Sequence, residues 1–572
     1  MFGQAVRLLA VVFLVAELLG AAASDAGDRS SKTKKKRAAD EDISAETALP
    51  PGLNLQDVVN QIIARENDEI TDITLYTPIM ETYIQAMKPD KSLGMVPKSD
   101  YYFLGQLEFN SNRVPKLDPI VHHPKTGAFL QWSFQPDGFA EMVFVDSRGL
   151  DKENYQFTYR GREFLGEIRC LVFDLVPKPK SGRGRFLGRI WVDEKSFTII
   201  RANGEYTNGG RLSSLRFSQG AYFHFETWRS NVRSNLWLPS YIYTQELSQG
   251  HLAMFPEFKG QIRLWGYQLK NIFHEEEFSK VTVEAATDLN DESTHFDNSP
   301  LQSERAWRNM AEENVAETLE KDGLLAPPGP VDKVLNTIVN NLEVTNHLDS
   351  QVDMHCRLLL TGNIDMFTVG QTIFLSRGLI DVVPDEATLA TVLAQEMADA
   401  LNPNPAVDQY AFSDIIQTTP QDLFKKLSFR EFKGTAQDNS QKALELLKNS
   451  PYADHLGSTA LFLRQLNAES KSLKQFISPH MGNRIVVADQ LLAGGPPLKP
   501  NDLDQVSALP LGSRIRLDAW TDSVDLMKAK QVAMLSAREK MPFEITPFEP
   551  YLTRSDRKDS AMLPAAVKED IH

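Results

Sequence analysis

Residues 363–401, NIDMFTVGQTIFLSRGLIDVVPDEATLATVLAQEMADAL, constrain this chain more than any other stretch, because the residue pattern changes from strand-like to helical inside it. Met366, Phe367 and Val369 precede Gly370, and Ile373, Phe374 and Leu375 follow it, which predicts a strand pair or a bent strand. Pro384-Asp385-Glu386 then opens a helix in which Leu389, Val392, Leu393, Glu396, Met397 and Ala400 recur at helical spacing, with Asp385 as the expected N-cap.

Inside that helix lies Ala394-Gln395-Glu396-Met397-Ala398-Asp399. Zincin peptidases place two histidine ligands four residues apart on one helix face, with a glutamate general base directly after the first. Gln395, Glu396 and Asp399 occupy those three places here, so only the base keeps its residue type. With Ser376-Arg377-Gly378-Leu379 and Asp385-Glu386 in matching order and spacing, the stretch resembles the substrate-edge strand and active-site helix of the HtpX/BepA-like zinc metallopeptidases. Residues 437–452 are similar to the second metal helix of that family, in a register that puts Ala436 at the third-ligand glutamate and Ser440 at its aspartate. Residues 478–485 resemble the family's His-Pro-x-x-x-x-Arg-Ile, with Ser478 for the histidine and Arg484 and Ile485 retained. The resemblance runs over about residues 330–490 and departs from the family at the zinc ligands.

What it implies is a peptidase-like domain with a vestigial base, Glu396, and vestigial metal positions Gln395, Asp399 and Ala436. It also implies a groove formed by Phe367, Val369, Gly370, Thr372, Phe374 and Arg484, able to take an extended polypeptide or lipoprotein by strand addition. Zinc favours nitrogen and sulfur donors in a tetrahedral set and activates a bound water. An amide, a carboxylate and a methyl group do not make that set, so neither metal nor other cofactor is expected. The alternative is an active zinc metalloendopeptidase with an atypical site.

At 572 residues the chain is too long for one core and is expected to form two or more domains. Its net charge of −15 argues against nucleic acid as a partner. Residues 1–23 carry Arg7, the apolar run Leu8–Leu19 and Ala21-Ala22-Ala23, the pattern of a secretory signal peptide too short to span a bilayer. A periplasmic or extracellular location is therefore expected. Residues 24–51 read as a disordered charged linker, whose basic cluster suits peripheral contact with anionic lipid. Cys170 and Cys356 fall in different expected domains, and two buried thiols suit them better than one interdomain disulfide.

The expected fold class is α+β: an antiparallel curved sheet wrapping a helix over 52–290, then a mostly helical zincin-like domain with a small sheet over 331–500. Residues 53–70 form an amphipathic helix, and β-rich runs from Tyr101 to Asp288, including 163–177, 184–192, 221–229, 237–246 and 261–270, imply a meander. FLGRIWVDEKSFTIIR and NLWLPSYIYTQE resemble the LolA/LolB lipoprotein-sorting fold, which implies an apolar cavity for lipid and a lipid- or lipoprotein-carrier role as a further alternative. Trp191, Trp228, Trp237 and Trp265 are read as core filling, and Arg183, Arg185, Arg189 and Arg201 as cross-strand charges. Residues 291–330 are expected to be a linker with an exposed helix. Residues 331–348 should form a helix with Val334, Leu335, Ile338, Val339 and Leu342 on one face. Residues 501–572 form a C-terminal extension, helical over 526–540 and extended over 542–552, covering its aromatic residues against the peptidase-like body. The function expected from all this is a non-catalytic scaffold, holdase or assembly factor of the bacterial cell envelope. The sequence does not set the oligomeric state.

Overall fold

The computed structural model describes residues 49–50, 52–91, 94–110, 113–121, 136–207, 224–246, 257–267, 300–348, 353–401, 436–478, 481, 515–527 and 543–555. The signal-peptide segment, Arg484 and residues 528–540 of the helix expected over 526–540 lie outside the described residues.

The first helix, α1 (Leu55–Ile73), starts where the Asn54 side chain accepts from the Gln56 N–H, and it buries Val58, Val59, Ile62, Ile70 and Ile73. Strands β1 (Ile79–Asp90), β2 (Gly94–Phe109) and β3 (Pro115–Val121) follow, then a short helix α2 (Pro136–Ala140). Seven more strands complete the sheet: β4 (Tyr155–Leu165), β5 (Ile168–Pro177), β6 (Phe186–Asp193), β7 (Ile199–Tyr206), β8 (His224–Arg233), β9 (Leu236–Glu246) and β10 (Phe258–Trp265). The order β3-β2-β1-β10-β9-β8-β7-β6-β5-β4 is antiparallel throughout, so the expected meander holds from β4 to β10 and the N-terminal strands dock on its last member.

Three details depart from the sequence reading. The sheet begins at Ile79, not Tyr101, because β1 and β2 carry Pro89 and Pro97 around a register shift after Ala86. Residues 163–177 are the end of β4 and the whole of β5, turned at Gly166-Glu167. The helix expected to be exposed, α3 (Pro300–Lys321), buries Ala311, Val315 and Leu319.

The alternation along β10 shows what covers the sheet. Phe258, Ile262 and Leu264 alternate with Lys259, Gln261, Arg263 and Trp265, yet every residue of the strand is buried. Both faces are therefore covered, and the polar one meets protein. Trp228, Trp237 and Trp265 are fully enclosed. Arg201 lies 4.2 Å over the ring of Trp191 and 4.5 Å over that of Trp228, and pairs with Glu226 at 2.6 Å. Arg189 pairs across the strands with Asp174 at 2.8 Å. Core filling describes the tryptophans, and cross-strand charge describes Arg189 and Arg201, whereas Arg185 pairs with Asp146 outside the strands at 2.8 Å.

After α3 come α4 (Pro330–Thr345), β11 (His355–Leu359), β12 (Met366–Val369), β13 (Thr372–Ser376), α5 (Arg377–Val382), α6 (Glu386–Ala400), α7 (Ala436–Lys448) and α8 (Leu456–Ser470). Leu335, Ile338, Val339 and Leu342 of α4 are buried, but Val334 is exposed because it falls outside the stripe they form. Strands β14 (Ile515–Leu517) and β15 (Val524–Leu526) make a small ribbon, so Leu526 is extended, not helical. Residues 543–555 run back along the chain. Phe543 packs against Phe462 of α8, but Phe548 packs edge-on to Tyr241 of β9, and the Leu552 carbonyl accepts from the Glu167 N–H at 2.9 Å. The extension therefore covers the large sheet as well as the helical module, and Tyr551 stays exposed. Cys170 and Cys356 are both free and buried.

Candidate functional site

The predicted hairpin and helix are both present. β12 and β13 pair in antiparallel register through a turn at Gly370-Gln371, where Gly370 takes φ +63°, a backbone geometry that glycine adopts without strain. Asp385 caps α6 by accepting from the Thr388 N–H at 2.8 Å. The small sheet has the order β11-β13-β12, with β11 parallel to β13.

Three residues of Ser376-Arg377-Gly378-Leu379 have a structural reason. Ser376 caps α5 by accepting from the Leu379 N–H at 3.2 Å. Gly378 lies where an added Cβ would stand 2.0 Å from the Gly362 carbonyl oxygen, so only glycine fits the close approach. Arg377 reaches across to the large sheet and donates to Glu81 at 3.0 Å. Glu81 also accepts from the Tyr102 hydroxyl at 2.7 Å and from the Gly362 N–H.

On α6, Glu396 is fully buried and accepts a 2.8 Å bond from the Thr368 hydroxyl of β12. Gln395 is buried too, and its Nε2 donor has no hydrogen-bond partner among the described residues. Asp399, one turn further on, is half-buried. Ala436 is the first residue of α7, which packs against α6, as a second metal helix would. The Tyr452 hydroxyl, just beyond α7, donates to Glu386 at 2.9 Å and fixes the pair at one end. Ser478, at the family's histidine position, donates to the buried Asp365 at 2.8 Å.

This set does not fit zinc. A tetrahedral site needs three protein donors converging on one point with imidazole or thiolate among them. At the three ligand positions the structure offers an alanine, the half-buried carboxylate of Asp399 and the Gln395 amide with its N–H donor unpartnered among the described residues. Among the described residues no cluster of three or more His, Cys, Asp or Glu side chains is placed to hold a metal.

The expected groove is mostly interior. Phe367, Val369, Thr372 and Phe374 are buried, with Phe367 and Phe374 stacked at 5.3 Å. Thr372 and Phe374 lie on the central strand, paired on both sides, so strand addition cannot occur there. Residues 324–326 run beside the β11 edge, where the Ala326 N–H donates to the Leu358 carbonyl at 2.8 Å, which leaves the edge at β12. The Ser376 N–H donates to the Asp365 carbonyl at 3.0 Å, which by antiparallel alternation turns the backbone of Met366 and Thr368 outward. Asp365 caps the Met366 N–H with its own carboxylate at 3.0 Å. At the start of this edge Ile364 pairs with Ile477, so residues 476–478 already run beside it.

Glu312 of α3 was not foreseen. Its carboxylate accepts from the Gln371 N–H at 2.8 Å and from the Thr372 hydroxyl, and meets His355 at 3.1 Å, so it clamps the hairpin tip to β11. Burial works to raise its pKa, but the bonds from His355, Thr372 and Gln371 hold it below the ordinary value. Nothing in a glutamate-rich helix distinguishes this residue from its neighbours.

Comparison with known protein families and with curated proteins gives no match. Among solved structures the chain is similar to a DUF1329 family protein from Desulfovibrio piger at 10% identity, over 39% of this chain and 96% of that one, with a TM-score of 0.19. A likeness at that score carries no argument, and none of these comparisons supports the HtpX/BepA-like or LolA/LolB-like resemblance. Among the described residues no helix is long and apolar enough to cross a membrane.

Proposed function

We propose that this is a non-catalytic protein of the cell envelope, in which a zincin-like helix has become the spine of a polypeptide-binding module. The observation that carries the reading is the state of α6. Its base-position carboxylate, Glu396, is fully buried beneath Thr368, and the neighbouring ligand position presents an unpartnered amide donor. A general base must reach the water or proton it abstracts. A buried carboxylate satisfied by a hydroxyl serves instead to fix helix to strand. Extended polypeptide or lipoprotein segments are the partner that suits the outward backbone of β12, because strand addition needs backbone groups and no metal.

Two substitutions at Thr368 test the binding half of this reading. Thr368→Pro removes the outward N–H and should abolish binding of a labelled unstructured peptide in a titration, while Thr368→Val, which loses only the hydroxyl, should retain it. Equal binding by the proline variant and the wild type would exclude strand addition at β12.

A further inference from the structure

A pocket of about 550 Å³ opens between β8–β10, the β14–β15 ribbon and residues 548–555. Its size lies in the range of small-molecule sites, about 300–1,000 Å³. It sits on the polar face of the large sheet, opposite α1 and away from α6. Its apolar walls include Ile515, Phe548 and Leu552, and its charged lining comprises four arginines and two aspartates.

The polar atoms at its base are donors. Tyr241 and Arg263 are direct cross-strand partners, and the Arg377 guanidinium stands beside them. The Tyr241 hydroxyl is buried and has no hydrogen-bond partner among the described residues, and neither has Nε of Arg377. Both side chains are more than nine-tenths enclosed, at 6% and 3% exposure. Arg263 lies 3.9 Å from Asp381, and the Gln261 amide oxygen, turned toward it, comes within 2.7 and 2.8 Å. Burial and the facing Arg263 charge depress Arg377 to about 10, the direction expected of a guanidinium incompletely compensated by its neighbours. Buried donors left unpaired are costly, and two of them lining one cavity call for an acceptor inside it.

We infer that this pocket binds a small amphiphile, its anionic oxo-acid head held by Tyr241, Arg263 and Arg377 and its apolar body lying along Ile515, Phe548 and Leu552. The inference is independent of polypeptide binding at β12. A carboxylate and a phosphate monoester share the head-group chemistry, and the apolar walls ask for a hydrocarbon body with either.

The experiment is displacement of the fluorescent probe 1-anilinonaphthalene-8-sulfonate from the full chain by dodecanoate, dodecyl phosphate and dodecanol. One saturable probe site is expected, displaced at least tenfold better by an anionic competitor than by the alcohol, and the better of the two anions identifies the head group. Tyr241→Phe removes a hydroxyl that has no hydrogen-bond partner among the described residues. It should leave the thermal midpoint unchanged and weaken the anion about tenfold or more, as expected for a bond to a charged group. Leu517→Trp, at a half-buried wall position, should block probe and competitor alike. Equal displacement by dodecanol and the anions, absence of a saturable site, or an unaltered anion affinity in Tyr241→Phe would each overturn the inference.

Discussion

The two faces of the large sheet are held in opposite ways. On the α1 side one buried cluster ties the helix to the sheet: Arg229 donates to Glu66 at 2.7 and 2.8 Å, to Glu69 at 2.5 Å, and to the Ile199 carbonyl at 3.0 Å. On the opposite side the contacts are spread out. Glu81 meets Arg377, Asp100 accepts from the Gln475 and Phe476 N–H groups, Lys259 meets Glu544, Gln85 meets residues 543 and 545, and Arg554 meets Asp193. A concentrated cluster makes one residue decisive. A distributed seam lets any one contact fail while the others hold the register.

The largest effect should therefore come from Arg229→Met, which leaves two carboxylates buried without their cation. A loss of about 3–5 kcal/mol is expected in urea unfolding. Glu81→Gln keeps an acceptor but removes the charge facing Arg377, and about 1–3 kcal/mol is expected there. If Glu81→Gln proves as damaging as Arg229→Met, the contrast between the faces disappears.

The cluster also sets a pH dependence. Burial first, and the neighbouring Glu66 charge after it, raise Glu69 to about 8 against the opposing pull of Arg229. The folded chain then holds a proton that the unfolded chain releases near pH 4.5, so this stabilisation is complete at low pH and is lost as pH rises through about 8. Asp100, raised to about 6, and Asp522, raised to about 7, act in the same direction. The thermal midpoint should fall between pH 5 and pH 8. Glu69→Gln, which imitates the protonated acid, should flatten that fall, matching the wild type at pH 5 and exceeding it at pH 8. A variant that instead follows the wild type at both pH values would remove Glu69 from the account. The smallest effect belongs to the exposed pair of Arg516 and Asp525, 3.2 Å apart, where Arg516→Ala should cost less than about 0.5 kcal/mol.

These contrasts also explain what the sequence made legible. The hairpin at Gly370, the Asp385 cap, the helices of the second half and most strands from β5 onward follow from local spacing, which reports which residues share a face. Spacing does not report what covers that face. The partnership of Glu81 with Arg377 joins residues nearly three hundred positions apart. The same holds for the return of residues 543–555 onto β9 and for the Glu312 clamp. The same holds at the groove: Phe367 and Phe374 have strand-lining character in the sequence, but only the order β11-β13-β12 shows that Thr372 and Phe374 stand on a central strand. On α6 and α7 the reading rests on residue type, since neither the Gln395 amide nor the Ala436 methyl is a zinc ligand of the kind the resembled family uses.

The claim on which the account turns is that α6 is a structural spine, and zinc content tests it most directly. Protein purified without chelator and dialysed against excess zinc should contain only substoichiometric metal by mass spectrometry, and Gln395→Ala with Asp399→Ala should leave that value unchanged. One tightly held zinc per chain, lost in the double variant and accompanied by peptide hydrolysis that Glu396→Gln abolishes, would contradict it.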